Sequence, residues 1–460
     1  MKRSKILVIF LFIFLSNMTI SPVLSNFVHS GKFETQDQNL NSLKNNQSVI
    51  LMIGDGMGFA HVNLARLVEV GQNNSLHIDK FNNNYSVITN NVDDQLTDSA
   101  AAATAMATGE KTLNSYLSID PEDNILPTIL EYAKSLNKST GVITTTEVVH
   151  ATPAAFYSHS TSRYDVDTIV NYLLTSNIDI AMGGGRSEFN STAIKYLEDQ
   201  GYNILENKSS LESTISQKLI GLFAPSHFPF VKDRPDTTPS LPLMTKISLD
   251  KLSKNSNGFF LMIEGGEIDF AGHDNDKVDD ALETIEFDQA VAVVQKYVSS
   301  HPNTLLIVTA DHETGGLKII DSSLDENVPQ TGLSELENQT LRINRVNKIS
   351  VSYSTGGHTT TQVPLKLFTN IDTFGLPTNT VLQNTEINSI MRSFIDLDLP
   401  TFTTSTQVTT TTIQQSTVTT QVSTTTGSSK QDNSVIGFEL ISIIFVMPLL
   451  FEITRKRRHF

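Results

Sequence analysis

The chain has 460 residues, with 33 Lys+Arg against 49 Asp+Glu (net −16) and neither Cys nor Trp. That length buries one large core or two ordinary ones, which excludes a wholly disordered chain; the acidic balance argues against duplex nucleic-acid binding, which runs on Lys/Arg–phosphate contacts. Without cysteine there is no disulfide scaffold, thiolate ligand or cysteine nucleophile, so any metal must sit on Asp, Glu, His and hydroxyls.

In chain order, Lys2, Arg3 and Lys5 precede an apolar run over 6–15, and small polar residues follow at 21–25. This is the layout of a secretory signal peptide, expected over 1–25. A polar, Asn-rich leader over 26–47 precedes a folded domain expected over 48–400. Sequons at Asn46, Asn73, Asn84, Asn137, Asn190, Asn207 and Asn338 fit an exported, glycosylated surface.

Within the domain, short continuous apolar runs mark strands covered on both faces. Residues 49–53 end in Gly54-Asp55-Gly56-Met57-Gly58, and 141–143 lead through Thr144–Glu147 to His150-Ala151-Thr152-Pro153. Residues 178–182 run into Gly183-Gly184-Gly185-Arg186. Residues 259–263 end in Glu264-Gly265-Gly266-Glu267-Ile268-Asp269, and 304–309 in Ala310-Asp311-His312-Glu313. Helical segments fall between, the longest over 278–299, with Val278, Ala281, Leu282, Ile285, Val291, Val294 and Val298 on one face. Strands alternating with helices predict an α/β fold: a mainly parallel central sheet flanked by helices. Ligands of such sheets bind outside the carboxyl ends of the strands. Four of these ends deliver Asp, Glu, His or Thr, which favours a metal site there over routine polar capping.

Spacing supports that reading. Glu264, Asp269 and His273 leave one strand end within ten residues, with glycines at 265, 266 and 272. Asp311 and His312 are adjacent, so they could ligate together only through a bend. His358, in Ser354-Thr355-Gly356-Gly357-His358-Thr359, reads by itself as a turn residue. In Leu96-Thr97-Asp98-Ser99 before Ala100–Ala103, Ser99 stands at a helix start: either a plain cap or a nucleophile where backbone N–H groups favour a phosphate. Arg163 alone is an exposed arginine.

Beyond the domain, 19 of the 29 residues over 401–429 are Ser or Thr and none is charged. A solvated stalk is expected over 401–434. A largely apolar stretch over 435–453 reads as a transmembrane anchor, and Arg455–Arg458 make 454–460 its basic cytoplasmic tail. Residues 1–25 contribute +3 and 430–460 contribute +2, so 26–400 carries −21.

Taken together, the strings at 54–58, 97–100, 150–154 with Ser162-Arg163, 264–269 with His273, 309–316 and 357–359 resemble the alkaline phosphatase family, in its order and over most of 48–365. The resemblance implies a phosphate monoester hydrolase that releases inorganic phosphate through a phosphoserine at Ser99. It implies two zinc ions, the first on Asp269, His273 and His358, the second on Asp55, Asp311 and His312. It implies a magnesium ion on Asp55, Thr152 and Glu264, and Arg163 clamping two phosphate oxygens. Bound cations then let a −21 domain accept a dianion.

There are two departures. His150 stands beside the magnesium position where some members have Asp, and imidazole is a poorer magnesium ligand than a carboxylate. Phe270 stands where some members place Lys or His near phosphate. The expected partners are small phosphate monoesters and, through the anchor, a membrane, with the catalytic domain on the cell surface; a homodimer is left open. The alternatives are a phosphodiesterase of the same superfamily or a stalked binding protein with an inactive site. Residues 206–250, rich in proline, read as an insertion over the site.

Overall fold

The computed structural model describes residues 46–396 apart from 82–84, 323, 325–327, 330–331, 371–375 and 378. The expected signal peptide, stalk, anchor and tail lie outside the described residues. Among the described residues, no helix is long and apolar enough to cross a membrane.

Fourteen strands are found among the described residues: β1 (Ser48–Gly54), β2 (Tyr85–Ile88), β3 (Ser139–Glu147), β4 (Ile180–Gly184), β5 (Asn203–Leu205), β6 (Leu219–Leu222), β7 (Phe259–Gly265), β8 (Thr304–Thr309), β9 (Glu313–Thr314), β10 (Lys318–Asp321), β11 (Ser350–Ser352), β12 (His358–Thr359), β13 (Val363–Phe368) and β14 (Val381–Gln383). The helices are α1 (Phe59–Glu69), α2 (Ser99–Thr108), α3 (Ile129–Ser135), α4 (Ala151–Tyr157), α5 (Val166–Ser176), α6 (Ser191–Asp199), α7 (Lys208–Ser213), α8 (Leu241–Leu252), α9 (Glu267–Asp274), α10 (Lys277–Ser300), α11 (Glu335–Asn347) and α12 (Asn384–Asp396).

Ten strands form one sheet in the order β14-β2-β13-β8-β1-β7-β3-β4-β6-β5. All run the same way except β13, which pairs antiparallel with both β8 and β2. The mainly parallel α/β sheet is therefore as expected. Its centre is apolar on both faces: every residue of β1 and β7 is buried, as their unbroken apolar runs require. The parallel direction sends the ends of β1, β3, β7 and β8 to one edge, where Asp55, His150, Glu264 and Asp311 emerge.

Residues 206–250 are mostly not an insertion. They supply β6, paired between β4 and β5, and helix α8, which packs on β3 and α10. Apolar alternatives to a loop were hidden in Leu219–Leu222, a run too short to stand out among prolines. Only the connection between β6 and α8 approaches the site, through His227.

Candidate active site

Asp55 sits on a tight turn after β1. Its N–H donates to Gly265 O at 3.2 Å, and Met57 N–H closes the turn onto Gly54 O at 3.1 Å. Gly56 lies at φ +72°, and a side chain there would meet Asp269 Oδ1 and Thr314 Oγ1 at 2.8 Å. Glycine is needed on both counts. The Gly56 N–H donates to Asp311 Oδ1 at 3.1 Å, joining this turn to the end of β8.

Beyond β8 the chain bends, and Asp311 Oδ1 also accepts the His312 N–H at 3.0 Å. The bend resolves the geometric conflict of adjacent ligands, because both side chains turn inward. His312 Nε2 lies 3.2 Å from Asp311 Oδ2 and 3.4 Å from Asp55 Oδ1. All three side chains are fully buried or nearly so.

Asp269 and His273 are one turn apart on α9, with His273 Nε2 3.3 Å from Asp269 Oδ2. His358 is not a turn residue. It lies in β12, pairs with Thr314 of β9, and brings its Nε2 to 3.7 Å from Asp269 Oδ1. Carbonyl acceptors fix both rings: His273 Nδ1 donates to Gly356 O at 2.8 Å and His358 Nδ1 to Thr97 O at 2.9 Å. In the neutral rings this leaves the Nε2 lone pairs facing Asp269, the tautomer that a metal ligand requires. His312 stacks on His358 with ring centroids 3.6 Å apart. Donor atoms of Asp269, His312 and His358 fall within 4.8 Å of one another, so His312 lies in the group where sequence reasoning put His273, which reaches Asp269 from its other oxygen.

Ser99 opens α2, a helix of small residues buried along most of its length. Asp98 caps it, accepting the Ala101 N–H at 3.0 Å. Ser99 Oγ lies 3.2 Å from His312 Nε2. Asp98 Oδ2 also accepts the Ser115 N–H at 3.0 Å and Arg163 Nη1 at 3.2 Å. Arg163 is thus no surface residue; its side chain is 13% exposed. Its Nη2 donates to His150 Nε2 at 2.9 Å. Two of its five N–H groups are used in this way and three are left for an anion.

The remaining group joins Asp55, His150 and Glu264, again within 4.8 Å. Glu264 Oε2 accepts hydroxyls of Thr144 and, at 3.2 Å, Thr146, both from the end of β3. Thr152, on α4, is fully buried, and its Oγ1 has no hydrogen-bond partner. His150 has one lone pair when neutral, and Arg163 takes the one on Nε2. Ligation by either nitrogen therefore breaks the Arg163 bond: on Nε2 by displacement, on Nδ1 by a change of tautomer.

The electrostatics of this edge ask for cations. Burial, with Asp311, Asp269 and Glu264 nearby, pushes the Asp55 carboxyl well above its usual range. Burial likewise raises Glu264 to about 7 and Asp311 to about 6. Asp269 moves the other way, because His273, His312 and His358 outweigh its burial, and its carboxylate in turn lifts His273 to about 9. Asp55 Oδ1 and Oδ2, Glu264 Oε1 and Asp311 Oδ2 are buried and accept no hydrogen bond. Such atoms are strongly destabilising unless a cation covers them. The donor set of carboxylates, imidazoles and a hydroxyl fits zinc at the histidine-rich groups and magnesium at the oxygen-rich one.

Comparison with known proteins decides the family. A sequence model described as alkaline phosphatase matches residues 46–364. The chain belongs to the alkaline phosphatase family. Among relatives, alkaline phosphatase 4 of Bacillus subtilis (strain 168) is 38% identical over 288 residues, covering 59% of this chain and 62% of the relative. Alkaline phosphatase 3 of the same organism is 35% identical over 320 residues, covering 66% of this chain and 69% of the relative. The chain thus matches a little under two thirds of the first of these relatives. The cold-active alkaline phosphatase of the psychrophile Shewanella sp. superposes with a TM-score of 0.66 at 31% identity, covering 76% of this chain and 99% of that structure.

In this alkaline phosphatase family member, sequence reasoning missed four supporting groups. Asp98, which caps α2, also holds Arg163. Thr314 donates to Asp269 Oδ1 at 2.5 Å. Thr144 and Thr146 hold Glu264; their polar run at a strand end was the one available signal. His227, from the connection before α8, stands 4.6 Å from Phe270 and 5.5 Å from His150 between ring centroids, a contact no local pattern announces.

Proposed function

We propose that this chain hydrolyses phosphate monoesters through a phosphoserine at Ser99. The observation that carries this reading is Ser99 Oγ at a helix N-terminus, 3.2 Å from His312 and beside buried carboxylates that accept no hydrogen bond. Asp55, Asp311 and His312 would hold one zinc, and Asp269, His273 and His358 the other. Asp55, Thr152 and Glu264 would hold magnesium, with His150 beside it. When bound, these ions supply the positive charge that lowers the pKa of a hydroxyl and stabilises attacking and leaving oxygens.

Ser99 Oγ attacks phosphorus in line with the departing alcohol, so the P–O bond to the alcohol breaks as the Ser99 ester forms. Water then attacks the ester, releasing inorganic phosphate and restoring the hydroxyl. The α2 N-terminus and Arg163 stabilise the equatorial oxygens. Asp98 keeps the guanidinium aimed while leaving N–H groups for a bidentate contact.

The same reading includes export by the signal peptide, a stalked cell-surface position and a C-terminal anchor, supported by the basic start at Lys2–Lys5, the Ser/Thr tract and the basic end. The test uses the full-length chain with zinc and magnesium added, assayed on p-nitrophenyl phosphate and its bis ester. Preferential monoester hydrolysis, lost on chelation, supports the proposal. Strong preference for the bis ester would make the protein a phosphodiesterase. Inactivity on both would favour a surface binding protein.

A further inference from the structure

Asp280, near the start of α10, is fully buried yet touches no proposed metal ligand. One of its oxygens, Oδ2, accepts the hydroxyl of Tyr353. The other, Oδ1, faces His61 Nε2 at 3.6 Å. Neither of those facing atoms has a hydrogen-bond partner, and His61 is also fully buried.

Both arms end on loops that carry the site. His61 Nδ1 accepts the Gly58 N–H at 3.1 Å. A backbone N–H can only donate, so the neutral ring carries its proton on Nε2, toward Asp280. Through this ring, α10 meets the turn that bears Asp55, at a polar contact longer than a hydrogen bond. Tyr353 seats its ring where a side chain on Gly315 would come within 2.8 Å of it. The following backbone is tied to Gly315, with Ser354 N–H on Gly315 O at 2.9 Å and Gly315 N–H on Gly357 O at 2.9 Å. That loop ends at His358, and its Gly356 carbonyl orients His273.

We propose that Asp280 is a positioning residue that holds the Asp55 turn through His61 and the His358 loop through Tyr353, fixing the spacing between the two histidine-rich donor groups. Asparagine would replace the carboxylate contacts by weaker neutral ones: with its carbonyl toward the His61 Nε2–H, its NH₂ donates to the tyrosine oxygen, and the reverse orientation sets NH₂ against the Nε2–H. The inference rests on the metal-dependent reading above. Outer groups that orient ligands are worth roughly 10–100-fold in metal affinity.

The test measures zinc affinity of the full-length chain by competition with a chromophoric chelator, for wild type, Asp280→Asn, Tyr353→Phe and the double variant. The expected result is about tenfold weaker zinc binding in Asp280→Asn. A smaller loss is expected in Tyr353→Phe, and the double variant should be no worse than Asp280→Asn. Should Asp280→Asn fail to fold, the Tyr353→Phe loss alone decides. Unchanged zinc affinity in the variants, with only a lowered melting temperature, would overturn the positioning role. Wild type that binds no zinc would overturn the metal reading beneath it.

Discussion

Replacing Gly56 by Ala tests how tightly the Asp55 turn is built into the site, and Gly201 supplies the control. Both glycines have positive φ, +72° and +86°, so alanine at either pays the left-handed penalty of about 1–2 kcal/mol. Only at Gly56 does the new methyl also meet atoms: Asp269 Oδ1 and Thr314 Oγ1 at 2.8 Å and Asp269 Cα at 2.9 Å, against nothing within 4 Å at Gly201. Backbone on one side and a hydrogen-bonded pair on the other leave little room to relax, which adds about 1–3 kcal/mol. Gly56→Ala should therefore cost about 2–5 kcal/mol and Gly201→Ala about 1–2 kcal/mol. Urea denaturation in chelator gives both numbers, and zinc titration gives the effect on Asp269, expected to be a loss of about tenfold at Gly56 and none at Gly201. Equal destabilisation by the two variants, with equal zinc affinity, would refute the close approach of the turn to Asp269.

Arg163→Lys removes the planar fork while keeping the charge; kcat/KM should fall about 10–100-fold, the loss of one charge-assisted hydrogen bond of roughly 1.5–3 kcal/mol. Chelation should abolish hydrolysis and lower the melting temperature, with zinc at about 100 times its Kd restoring about 2.7 kcal/mol of stability. A pH-dependent contribution is expected from His159, whose Nδ1 faces Ser118 O at 2.9 Å and Nε2 faces Glu131 Oε1 at 3.1 Å, so that both acceptors are served only by the imidazolium. Burial opposes the charged forms, yet the pair's mutual contacts leave His159 raised and Glu131 lowered. A raised histidine stabilises fully below its unfolded pKa of 6.5 and loses this as pH rises through its folded value, while the lowered glutamate loses its share as pH falls below its ordinary 4.5. The stability difference between wild type and Glu131→Gln, from denaturation at several pH values, should be largest between those limits and shrink at alkaline pH.

Much of the central sheet was legible because β1, β4, β7 and β8 are buried on both faces and hence unbroken apolar runs. The reversed strand β13 was not, since Pro364 and Lys366 interrupt its pattern and its direction depends on pairing with β8 and β2. Short β6 was lost among prolines for a similar reason. At the site, residue types at strand ends pointed to the right edge, because a parallel sheet gathers those ends whatever the loops do. What local sequence could not supply were contacts made across the fold. The two-residue ladder that takes His358 out of a turn, the Asp98 contact that buries Arg163, and the approach of His227 to Phe270 all depend on tertiary pairing.

On the proposed function, Ser99 carries the phosphoryl group. Acid-quenching the enzyme during turnover of a phosphate monoester, followed by peptide mapping, tests it most directly. One covalent phosphate is expected on Ser99 and none in Ser99→Ala, which should also lose at least about a thousandfold in kcat. Phosphate trapped on another residue, or undiminished turnover by Ser99→Ala, would contradict it.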